Sequence, residues 1–169
     1  MFGYVKFIYP RGIIEIRKGQ ISMQITYKGD YALKALLYLA LHYNKDIVSM
    51  QELAKKLDIP IKFLEQIFLE LKKGKFVESK RGIKGGYFLA RAPKDIRIGD
   101  VVRFIDGPIE PIACASISKE YKGCADIYSC AFREVWVKVS KAISEIVDGV
   151  TLEDLSSKVS NSKSISYSI

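Results

Sequence analysis

Along residues 31–43 the apolar positions Ala32, Leu36, Leu39, Ala40 and Tyr43 recur at helical spacing. The helix they predict is apolar on most faces and therefore belongs inside a core. Ser49 followed three residues later by Glu52 is a capping box, so a second helix starts there, with Leu53, Ala54 and Leu57 as its buried side. Asp58, Ile59 and Pro60 end it. A third helix follows at once, with Leu64, Ile67, Phe68 and Leu71 inward and Gly74 as its stop. Two short helices joined by a tight turn form a helix-turn-helix.

The period then changes. Val77 and Ser79 alternate, as do Tyr87 and Leu89, around a turn holding Lys80, Arg81, Gly82, Lys84, Gly85 and Gly86. This predicts a β-hairpin with a basic tip, and a hairpin after a helix-turn-helix is a winged helix. Ile98, Val101, Val102 and Ile105 mark a short helix ending at Gly107. Pro108 and Pro111 lead into a loop, and a long helix runs from about residue 131 to Gly149. Its Val135, Val139, Ala142, Ile143, Ile146 and Val147 form a stripe with no obvious partner in the chain, which points to a second chain. Thr151 to Asp154 can cap one last short turn, and the serine- and lysine-rich tail from Ser156 is expected to fray. The predicted fold is mostly α: a winged helix-turn-helix with a small β-hairpin wing and a long C-terminal dimerisation helix.

Charge sharpens this picture. The net charge is +8. Residues 55–97 carry twelve basic and five acidic side chains, net +7, whereas residues 98–169 carry eight and ten, net −2. The positive field thus lies over the helix-turn-helix and wing, and double-stranded DNA is the first partner to consider. No apolar run is long enough to span a bilayer, so no membrane partner is expected and the chain is read as cytoplasmic. With one histidine, no nucleophile–base constellation and no phosphate-binding glycine loop, an enzyme finds little support. Residues 1–22 make a poor secretory signal, interrupted by Arg11, Glu15, Arg17 and Lys18. They read as a strand or arm or, preferably, as sequence ahead of a natural start at Met23. Lys18-Gly19 can be encoded by a purine-rich stretch placed where a bacterial ribosome-binding site lies.

Lys62, Glu65 and Gln66 occupy the outward side of the third helix. A glutamine amide can pair with adenine, and a carboxylate can accept from cytosine or repel phosphate. Lys80, Arg81 and Lys84 at the wing tip can reach phosphates or the minor groove. All three cysteines, Cys114, Cys124 and Cys130, lie in one loop of small residues without core periodicity. Three thiols are an odd number for disulfides and one short of a tetrahedral metal site. The lone histidine, His42, is read as an ordinary surface or packing residue.

Three stretches, "MQITYKGDYALKALLYLA", "LAKKLDIPIKFLEQIFLELKKGKFVESKRGIKGGYFLAR" and the three-cysteine loop before a long helix, resemble the Rrf-two family of winged-helix transcription regulators. Its members include an iron–sulfur regulator and a nitric-oxide sensor. The resemblance covers most of residues 23–155. It implies a homodimer crossing through residues 131–148, a pseudo-palindromic operator, and Lys62, Phe63, Gln66 and Arg81 as DNA contacts. It further implies a 2Fe–2S or 4Fe–4S cluster on the three cysteines, although the first cysteine spacing is longer here than in many members. Some members supply a histidine where this chain has Arg133, which cannot ligate. In others an acidic residue early in the first helix of the partner subunit completes the site, and the matching residue here is Asp30. Asp30 has a second reading as a plain N-cap.

The resulting organisation is an N-terminal extension (1–22), a winged-helix DNA-binding domain (23–107), a cysteine loop (108–130), a dimerisation helix with a short cap (131–155) and a flexible tail (156–169). The expected function is operator binding controlled by an iron–sulfur cluster that senses iron, redox state or nitric oxide. Three competing readings stay open: a thiol redox switch, a structural zinc site on the same cysteines, and a winged helix that binds protein rather than DNA.

Overall fold

The computed structural model describes residues 4–9, 12–17, 25–82, 85–115 and 129–165, and side chains from residue 25 to 161 apart from Ala113. The chain divides into two compact units. One comprises Ile25–Gly107 and Ser144–Ile169, the other Met1–Gln24 and Pro108–Ile143.

The first unit is built on α1 (Tyr27–Leu41), α2 (Met50–Leu57) and α3 (Ile61–Lys73). Ala32, Ala35, Leu36, Leu39 and Ala40 of α1 are buried, as the apolar pattern predicts. The α1 N-cap is Thr26, whose hydroxyl accepts the Gly29 N–H, so the N-cap reading of Asp30 is corrected. Asp106 reinforces this cap by accepting from the Thr26 hydroxyl (2.6 Å) and amide (3.1 Å). A Cβ at Gly29 would lie 2.1 Å from the Asp106 carboxylate, so glycine there admits the cap. Ser49 caps α2 through the Glu52 amide, while the Glu52 carboxylate accepts from the Tyr38 hydroxyl of α1 at 2.8 Å. Burial and that carboxylate together raise the Tyr38 pKa.

Asp58, in the left-handed region at φ 54°, turns the chain from α2 into α3. Leu64, Ile67, Phe68 and Leu71 of α3 are buried to 1% exposure or less. The α3 C-cap is Gly74, but its φ is −75° and the left-handed residue is Lys75 at φ 55°. The reason for glycine is space: a Cβ there would lie 2.8 Å from both the Phe104 and Phe76 rings.

The wing pairs β3 (Val77–Lys80) with β4 (Gly86–Leu89), antiparallel, with Val77 opposite Leu89 and Lys80 opposite Gly86. Val48 adds a one-residue bridge to Tyr87 on the other edge of β4. A Cβ on Gly86 would come within 2.3 Å of the Val48 carbonyl oxygen, so this glycine permits the third backbone to pair. α4 (Ile98–Asp106) buries Val101 and Val102. The last turn of α5 (Ala131–Asp148) is held to α4 by Arg103, which donates to both Asp148 oxygens at 2.6 and 2.9 Å. The hydrogen bond to Arg103 holds the Asp148 carboxyl below its usual range, and the same bond raises the Arg103 pKa.

The final element is α6 (Leu152–Ile165). A helix therefore continues well past Ser156, where composition predicts a frayed tail. Thr151 and Asp154 form a reciprocal cap, Leu152 is fully buried, and Ser156 and Ser160 donate to carbonyls one turn back.

In the second unit, β1 (Tyr4–Tyr9) and β2 (Gly12–Arg17) form an antiparallel hairpin, the strand reading of this segment. A 3-10 turn at Ala113–Ala115 opens the cysteine loop, and the first part of α5 follows it. On α5 only Ser140 is buried, and its hydroxyl donates to the Ile109 carbonyl at 3.2 Å.

Candidate functional site

The outward face of α3 follows from its inward one. Four buried apolar residues at i, i+3, i+4 and i+7 leave Lys62, Glu65 and Gln66 exposed. Phe63 is half-buried, its ring edge-on to Tyr31 at 5.8 Å, so packing takes up part of its surface. Lys80 and Arg81 are exposed at the wing, and Lys84 lies outside the described residues.

Several contacts that the sequence reading missed set helix and wing in place. Phe68 of α3 meets Tyr87 of β4 at 4.6 Å, and Lys72 donates to Ser79 of β3 at 2.7 Å. Lys28 of α1 pairs with Glu70 of α3 at 2.6 Å. Pairs between separate elements of this kind leave no periodicity in the sequence. The result is an exposed polar helix braced beside a basic hairpin, the arrangement that lets one element enter a major groove while the other meets phosphates.

At the cysteine loop, Cys114 is half-buried and Cys130 exposed, both as free thiols, while Cys124 lies outside the described residues. Arg133 cannot ligate, but it braces both described ends of the loop. Its side-chain Nε donates to the Cys114 carbonyl at 3.2 Å and its amide to the Cys130 carbonyl at 3.1 Å. Asp30 sits in the first turn of α1, 45% exposed, and accepts from Lys34 at 2.7 Å. That bond is the main reason the Lys34 pKa is raised. Among the described residues no three histidine, cysteine or acidic side chains converge on one point. His42 stacks on Tyr38 at 4.5 Å and its Nδ1 lies 2.8 Å from the Tyr38 carbonyl, a packing role. No helix among the described residues is long and apolar enough to cross a membrane.

The Rrf2 family profile, described as an iron-dependent transcriptional regulator, matches residues 25–158. A putative HTH-type transcriptional regulator, rrf2-like, of Rhodobacter capsulatus is 42% identical over 78% of this chain and 91% of its own. The HTH-type transcriptional regulator IscR of Sodalis glossinidius is 36% identical over 79% of this chain and 78% of its own. The solved structure of CymR, the global cysteine regulator of B. subtilis, superposes with a TM-score of 0.67 at 32% identity, covering 80% of this chain and 97% of that one. The reading helix, the basic wing and these likenesses lead to one conclusion: the chain belongs to the Rrf2 family of winged-helix transcriptional regulators.

Proposed function

We propose that the chain is a homodimeric, operator-binding transcription regulator whose DNA affinity is set by an iron–sulfur cluster on Cys114, Cys124 and Cys130, completed by Asp30 of the partner subunit. The DNA half is carried by the exposed Lys62, Glu65 and Gln66 on a helix braced against a wing bearing Lys80 and Arg81. Gln66 and Glu65 read base edges, and Lys62, Lys80 and Lys84 neutralise phosphates, which makes binding steeply salt-dependent. Dimerisation is supported by the apolar face of α5, where Phe132, Val135, Trp136 and Ile146 are exposed.

The sensing half is supported by the donor set. Thiols are the natural ligands of iron–sulfur clusters, and the two described ones are free. A bound cluster would supply a centre that changes with oxidant, nitric oxide or iron supply. The protein's own part is positional. Arg133 holds both described ends of the cysteine loop against the start of α5, and Lys34 holds the Asp30 carboxylate at the start of α1. A carboxylate drawn away from Lys34 toward a partner's loop would tie that loop to α1, which packs on α3 through Lys28–Glu70 and Tyr31–Phe63.

Protein isolated without oxygen is expected to contain iron and acid-labile sulfide and to absorb in the visible, with loss of both in Cys130→Ala. Asp30→Ala is expected to shorten the lifetime of the visible band. Absence of iron and sulfide, with failed reconstitution, would leave a second reading, a thiol redox switch. The exposure of Cys130 favours that alternative.

A further inference from the structure

Leu69 lies at the centre of the outward face of α3. It is 63% exposed, whereas Leu64, Ile67, Phe68 and Leu71 on the same helix are 0–1% exposed. At about 100° per residue, positions 62, 69 and 73 fall within about 20° of one line, with residues 65 and 66 to either side. Leu69 is therefore a large apolar side chain in the middle of a row otherwise made of Lys62, Glu65, Gln66 and Lys73. A lone exposed leucine is common on any surface. This one is different because it occupies the strip that faces the groove when its neighbours do.

The spacing fits a duplex. Leu69 is about 10 Å along the helix axis from Lys62, within the roughly 12 Å width of a major groove. Lys62 and Lys73, about 16 Å apart, flank it with positive charge directed at the phosphate walls. A leucine can neither donate nor accept a hydrogen bond. The apolar feature a major groove offers is the 5-methyl group of thymine. We propose that Leu69 is a base-reading residue that packs on a thymine methyl in each operator half-site, adding a preference for T that the polar residues do not encode. The inference rests on the operator-binding reading above.

Random duplexes selected on the full-length protein would supply the operator, and each of its thymines would then be replaced by uracil, which removes only the methyl. Loss of one buried methyl is expected to weaken wild-type binding about fourfold at one position per half-site. Leu69→Ala, on a helix whose core is untouched and whose fold is checked by circular dichroism, is expected to bind the thymine and uracil duplexes equally. An enriched operator at which no uracil weakens binding, or at which the weakening persists in Leu69→Ala, overturns the role of Leu69 and leaves operator binding standing. Selection that enriches no sequence sinks operator binding and the Leu69 role together.

Discussion

α3 and α5 carry the same kind of amphipathic pattern and meet opposite fates. The apolar stripe of α3 is closed over completely by its own chain. That of α5 stays open, with Phe132 72%, Val135 53% and Ile146 69% exposed, and Ser140 as the one buried residue of the helix. Periodicity therefore identifies a face that must be covered and is silent on what covers it. α3 is finished by local partners, its flanking helices and the wing. α5 leaves its apolar face exposed, and it is through this face that the proposed homodimer would form.

The sharpest way to break this comparison is to remove the closure of α3. Phe68→Ala, which deletes a core ring and its contact with Tyr87, is expected to destabilise by about 3–5 kcal/mol in urea titration. Gly86→Ala comes next, at about 2–4 kcal/mol, because the added methyl meets the backbone of Val48 rather than a movable side chain. Asp148→Asn is expected to cost about 1–2 kcal/mol, a figure discounted because both partners are about a third exposed.

The pH sign of that last effect is fixed by Asp148. Its folded pKa is depressed, so the stabilisation is present above the unfolded carboxylate value, about pH 4, and is lost as pH falls through the lower folded value. Wild type should therefore lose stability on acidification below about pH 4 more steeply than Asp148→Asn. The smallest effect on the fold is expected on α5. Val135→Glu should change the stability of the reading head by no more than about 0.5 kcal/mol. Sedimentation equilibrium should nonetheless show a dimer turned into a monomer. A Val135→Glu protein that stays dimeric would remove α5 from the interface.

Legibility followed the range of the interaction. The capping serine of α2, the turn at Asp58, the four buried positions of α3 and the hairpin of the wing are local features, and each stands in the structure as the sequence predicts. The alternation holds on β3 but not on β4, where Gly86, Tyr87 and Phe88 are all half-buried. Pairings across long separations were not legible. Nothing near Gly29 announces that Asp106 will need its space, and nothing near Gly99 announces the Arg103–Asp148 pair, whose carboxylate would lie 1.9 Å from a Cβ there. Arg133 could be excluded as a ligand from its chemistry, but its grip on Cys114 could not be read from the sequence. The helix through Ile165 was missed because its serines weigh toward disorder by composition, while the buried Leu152 and the Thr151–Asp154 cap weigh the other way.

The sequence by itself determined the helix-turn-helix, the basic wing and the clustering of the thiols, because period, capping and charge act over a few residues. Only the tertiary structure decided which glycines are spacers, which charges become struts and which of two similar apolar faces is left open. Those outcomes depend on close packing between segments far apart in the chain, where fractions of an ångström decide what fits.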